Sequence, residues 1–71
     1  MKLTVCNVAK ELNVHPMKLA WEIRNGVYEF AKAYKKNKNS AKHTYFFDYV
    51  KTMKYIHEYK EAVEIYEKEK N

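Results

Sequence analysis

One glycine and one proline punctuate the 71 residues, and both fall on the same short stretch. In "VHPMKLAWEIRNG", residues 14–26, Pro16 stands in the first turn of a helix, where its missing N–H costs nothing. Gly26 stands where a left-handed C-terminal cap belongs. Between them Leu19 and Ile23, at i and i+4, face inward. The preceding segment, "LTVCNVAKELNV", is a second helix with Thr4 as its N-cap. Asn7 occupies the position where a capping box prefers Glu or Gln. Val5, Val8, Ala9 and Leu12 recur at helical spacing and form one apolar face, and Asn13 tolerates the left-handed conformation that ends a helix, though less well than Gly. Only Asn13, Val14 and His15 remain between the two helices. A turn that short implies a steep crossing, with Val14 plugging the corner.

The stretch "AYKKNKNSAKHTYFF", residues 33–47, holds Lys35, Lys36, Lys38 and Lys42 and no acid. It lies at the centre of two aromatic runs, "VYEFAKAY" and "HTYFF", which read as short antiparallel strands of a hairpin. The loop is longer than a two-residue turn and lacks Gly, so it is not a tight Asn-Gly type. Phe30, Tyr45 and Phe47 are expected in the core, with Tyr28, Tyr34 and Tyr55 open between core and base-stacking roles. Asp48 can cap a last helix whose apolar positions run from Tyr49 through Met53, Ile56, Val63 and Tyr66, interrupted by Lys60. Glu64 and Lys68 form an i,i+4 pair in the favourable order. Helical to near its end, this segment is about 30 Å long and outreaches a body of this size.

A chain of 71 residues makes one domain with an economical core. Its formal net charge is +5 and its pI about 9.3, which favours an acidic partner, nucleic acid first. Glu58, Glu61, Glu64, Glu67 and Glu69 gather near the end, so the positive charge is concentrated elsewhere. Cys6 is the lone cysteine; with no internal disulfide and no signal-peptide pattern or membrane-length apolar run, the expected location is cytoplasmic. His15, His43 and His57 belong to three different elements, and no metal-ligand spacing links them to Cys6. No base or oxyanion donor can be nominated for a nucleophile, and there is no phosphate-binding glycine loop. The expectation is a protein that is not an enzyme and takes no cofactor.

Two short helices, a three-residue turn and a basic hairpin add up to an α+β, mostly helical fold: a winged helix-turn-helix with a two-stranded β-hairpin wing and a long C-terminal helix. Residues 1–57 would form the winged helix-turn-helix domain and residues 58–71 a helical extension of it. Ala9, Asn13, Val14 and Leu19 fall where helix-turn-helix proteins commonly place Ala, Gly, a small apolar residue and an aliphatic one. "TVCNVAKELNVHPMKLAWEIRNG" resembles the opening of MerR/excisionase-type winged-helix modules, typically T-V-x-E-V-A-K-x-L-G-V-S-P. "EFAKAYK", "TYFFD" and "VKTMKYI" are similar to the PFGxAxK … YxIxxxKLxxY stretch of small phage and mobile-element DNA-binding proteins. The resemblance covers about residues 3–57. Three departures stand out: Asn13 replaces Gly, His15 replaces Ser and weakens the cap, and Glu29 and Ala31 replace the Pro and Gly around Phe30. The carboxylate of Glu29 would also repel a nearby phosphate.

The resemblance implies sequence-specific double-stranded DNA binding without catalysis, as an excisionase that directs an integrase or as a small transcriptional regulator. The second helix would enter the major groove, which admits one α-helix, and offers Met17, Lys18, Trp21, Glu22, Arg24 and Asn25 as candidates. Each is otherwise an ordinary exposed helix residue, and Trp21 could instead close the core against the wing. Lys35, Lys36, Lys38, Lys42 and His43 would meet the DNA backbone, the bland alternative being a solvated loop. Expected partners are duplex DNA together with an integrase or further copies of the chain, with no membrane and no small-molecule substrate. The competing class is a protein-interaction module, such as a phage protein that modulates a host protein.

Overall fold

The computed structural model describes residues 1–39 and 41–70; Ser40 in the lysine loop, Asn71 at the end of the expected extension and the side chain of Lys70 lie outside that description. The element order is α1 (Val5–Glu11), α2 (Pro16–Arg24), β1 (Ala31–Tyr34), β2 (Thr44–Phe47) and α3 (Tyr49–Lys70). The described chain is thus a small α+β fold of three helices, one two-stranded antiparallel sheet and a long C-terminal helix.

The two short helices are delimited by their caps. Thr4 is extended (φ −126°, ψ 163°), and its hydroxyl accepts from the Asn7 N–H at 3.1 Å. The Asn7 side chain does not return to Thr4. It donates to the Lys2 carbonyl at 2.8 Å, so half of a capping box forms and the other half ties down the leading segment. At the far end of α1, Asn13 has φ 55°; its N–H donates to the Lys10 carbonyl (3.3 Å) and the Val14 N–H to the Ala9 carbonyl (3.0 Å). The end of α2 repeats the arrangement on Gly26, at φ 71°, with Gly26 N–H to Ile23 (3.2 Å) and Val27 N–H to Glu22 (3.0 Å). Both are Schellman closures, one built on Asn and one on Gly. Asn13→Ala should therefore destabilise the fold by about 1 kcal/mol, because a Cβ disfavours the left-handed region, while Asn13→Gly should be neutral or stabilising. Urea melts giving both variants the same midpoint would refute this role for Asn13.

His15 proves a better cap than the comparison with Ser implies. Its extended backbone sets the ring beside the first turn of α2, and Nδ1 accepts from the Met17 N–H at 3.1 Å. With Pro16 supplying no donor, one of the exposed first-turn N–H groups is thereby satisfied.

The buried apolar residues are Val8, Ala9 and Leu12 of α1, Leu19 and Ile23 of α2, Phe30, Ala31 and Ile56. Val14 is half-buried against this cluster, in the corner between the helices. α1 packs on α2, and α2 on β1. In the sheet Ala31 pairs with Phe47, Lys32 with Phe46, Ala33 with Tyr45 and Tyr34 with Thr44. Alternation puts Ala31, Ala33, Tyr45 and Phe47 on the core side and Lys32, Tyr34, Thr44 and Phe46 on the other.

The strands are shorter than the aromatic runs. β1 begins at Ala31 rather than Val27, and β2 at Thr44 rather than His43. The Phe30 carbonyl explains the first difference: it accepts from the Asp48 N–H at 2.8 Å and from the buried Thr52 hydroxyl at 3.4 Å. The residue before β1 is thus turned onto the start of α3. Tyr28 joins a ring cluster instead of a ladder, with Phe30 at 4.8 Å and Tyr55 at 5.6 Å between centroids.

Asp48 caps α3 through Oδ1, which accepts from the Lys51 N–H at 2.9 Å. Thr52 and Ile56 are buried, Tyr59 and Val63 half-buried. Lys60, the interruption in the apolar pattern, forms an ion pair with Glu11 that ties α3 to α1. The Lys60 ammonium, through its hydrogen bond and then its charge, holds the Glu11 carboxyl below its ordinary pKa. Twenty-two residues give α3 a length of about 33 Å. The molecule measures 52 × 21 × 20 Å. Its radius of gyration of 14.0 Å exceeds the roughly 11 Å of a compact chain this long, as expected when one helix projects. On the projecting part Glu64 and Lys68 pair at 3.5 Å.

Candidate nucleic-acid interface

Since Leu19 and Ile23 face the core, the opposite side of α2 is led by Met17, Trp21 and Arg24, at i, i+4 and i+7. Lys18 and Asn25 flank this ridge, and all five are exposed. Trp21 is 56% exposed and does not close the core. Glu22, by contrast, is half-buried on the flank of α2 and faces Tyr28. Burial, followed by the Glu22 charge, raises the pKa of the Tyr28 phenol. One Glu22 oxygen, Oε1, is enclosed without a hydrogen-bond partner. Glu22 therefore leaves the set of outward-facing candidates.

Two of the remaining polar candidates are held by the protein itself. Arg24 Nη1 donates to the Tyr45 hydroxyl at 2.8 Å, which turns the guanidinium towards the hairpin. The Asn25 side-chain amide donates to the Trp21 carbonyl at 2.7 Å, back along its own helix. Lys18 has no such tether among the described contacts.

Lys35, Lys36, Lys38 and Lys42 are exposed in the loop between Tyr34 and Thr44. At its tip the Asn39 N–H donates to Asn37 Oδ1 at 3.2 Å, an Asx turn that does without glycine. His43, at the root of the loop, is half-buried with its ring 6.4 Å from that of Tyr45. A continuous path, Arg24 to Tyr45 to His43, thus runs from the exposed end of α2 to the base of the lysine loop. Tyr45 was expected only as a core residue. Its ring does pack half-buried against the core, but its hydroxyl is the link. Lys32, exposed on the outer hairpin face opposite Phe46, is a further cation, and no local pattern singles it out.

Residues 1–57 carry eleven of the fourteen Lys and Arg residues and four of the nine acids. Lys18, Arg24, Lys35, Lys36, Lys38 and Lys42 put part of that excess on the exposed surface of α2 and the hairpin loop. Between the start of β1 and α3 lies an open groove lined by Tyr28, Phe30, Tyr55, Lys51, Lys54 and Glu58, of mixed charge. Cys6 is exposed on α1. Among the described residues no group of three or more His, Cys, Asp or Glu could hold a metal ion, and no helix is long and apolar enough to cross a membrane. Comparison with protein-family models, curated proteins and solved structures returns no match.

Proposed function

We propose that this chain is a winged helix-turn-helix protein that binds double-stranded DNA, with α2 as the groove-entering helix and the hairpin 31–47 as the wing. The observation that carries the proposal is the Arg24–Tyr45 hydrogen bond, which joins the exposed end of α2 to the hairpin bearing the acid-free lysine loop. The loop lysines neutralise phosphates and release counterions, while α2 meets base edges in the adjacent major groove. The sequence resemblance to MerR/excisionase-type modules supports the same role, as an excisionase or a small transcriptional regulator. A nine-residue helix reads few base pairs, so site selection requires further copies on repeated sites or a bound integrase.

The test is fluorescence anisotropy with a labelled random-sequence duplex, titrated from about 50 to about 200 mM salt. A dissociation constant of about 1–100 μM, with log affinity falling linearly in log salt, is the expected result. Absence of duplex affinity at the low end overturns the proposal and assigns the face to a protein partner, the class that the exposed Met17 and Trp21 side chains would then serve.

A further inference from the structure

We infer that the outward ridge of α2 recognises thymine methyl groups, so that Met17 and Trp21 set the sequence preference and the preferred sites are rich in A·T pairs. This deepens the duplex-binding proposal and rests on it. The bidentate readers of base edges are Arg or Lys for guanine and Asn or Gln for adenine. On α2 and its C-cap the Arg and the Asn are directed elsewhere, which leaves Lys18 beside the ridge. Arg24 is aimed at Tyr45 by a 2.8 Å bond, and Asn25 is folded back onto the Trp21 carbonyl at 2.7 Å. What stands farthest from the core is apolar: Met17 is 76% exposed and Trp21 56%. The two are at i and i+4 and form one surface on the helix.

Met17 carries no donor, and Trp21 only an indole N–H. Neither can read the donor and acceptor pattern that separates G·C from A·T. The major groove offers one apolar feature, the C5-methyl of thymine, and side chains of this kind match it. The surroundings select duplex DNA over an apolar protein surface. Lys18 flanks the ridge and Arg24 continues it, and the Arg24–Tyr45–His43 path leads from it to the lysine loop, a setting complementary to a polyanion.

The experiment compares a thymine-rich duplex with the same duplex carrying deoxyuridine in place of thymidine, which removes the methyl group and keeps every hydrogen-bonding group. Tighter binding of the thymine form is expected, by about fourfold per methyl group covered. Trp21→Ala and Met17→Ala, both at exposed positions, should reduce that ratio towards one while leaving the salt dependence of duplex binding in place. Equal wild-type affinity for the two duplexes, with salt-dependent binding intact, overturns the inference and spares the duplex-binding proposal. Discrimination that survives in both variants overturns the assignment to this ridge. No affinity for either duplex at low salt overturns the duplex-binding proposal itself.

Discussion

Phe30→Ala is expected to remove half or more of the stability of the fold. Phe30 is 3% exposed, with ring centroids of Tyr28, Tyr55 and Phe47 at 4.8, 5.0 and 6.5 Å. It stands where β1, the start of α3 and the end of the polypeptide leading from α2 converge, and its carbonyl holds both Asp48 and Thr52. Truncating a buried phenylalanine costs about 3–5 kcal/mol, since the cavity relaxes only in part. A domain of 71 residues has about 4–10 kcal/mol in total. Few buried side chains are available to close around the hole. Urea unfolding followed by tyrosine fluorescence or circular dichroism should show the loss directly. Tyr55→Ala is the matched comparison: Tyr55 is 41% exposed, so it should cost markedly less. A loss for Phe30→Ala of no more than about 1 kcal/mol would mean that the ring cluster does not join the hairpin to α3.

What the sequence made legible is what depends on near neighbours. Thr4, Asn13, Gly26 and Asp48 act on N–H and carbonyl groups within a few residues, and each sits where its chemistry places it. The inward faces of α1 and α2 follow from helical spacing, and the acid-free loop follows from composition. Trp21 was left open between the core and the outer face, and its exposure decides for the outer face. The features missed are decided at long range. β1 starts late because the Phe30 carbonyl serves Asp48 and Thr52, and no local pattern in "VYEF" contains that demand. Lys60 interrupts an apolar stripe because its ammonium pairs with Glu11 of α1, forty-nine residues away. Glu22 sits on the margin of the helix face, half-buried and close enough to Tyr28 for its charge to act on the phenol. The Arg24–Tyr45 link spans twenty-one residues and joins two that seemed unrelated, one polar and one assigned to the core. For the candidate interface this means that its charge could be read from the sequence and its wiring could not.

That wiring makes the loop's contribution measurable. If Lys18, Arg24, Lys35, Lys36, Lys38 and Lys42 each neutralise one phosphate, log affinity should fall with log salt at a slope of about −5. A fourfold rise in salt then weakens binding by about three orders of magnitude. The triple variant Lys35→Gln, Lys36→Gln, Lys38→Gln removes three of these contacts and should bring the slope to about −2.7, so that the same rise costs only about fortyfold. The three side chains are exposed in a loop whose described turn is held by Asn37 and Asn39, so the fold should persist and its melt should be unchanged. Lys68→Gln removes charge from the projecting end of α3, where Lys68 pairs with Glu64, and should leave the slope as it is. This pairing of variants separates two physical effects. A merely solvated loop contributes through net charge alone, and equal small changes would then follow from a lysine lost anywhere. A loop lying along the phosphates contributes one released counterion per contact, and only its own lysines change the slope. A triple variant with the wild-type slope would leave the hairpin without a part in DNA binding.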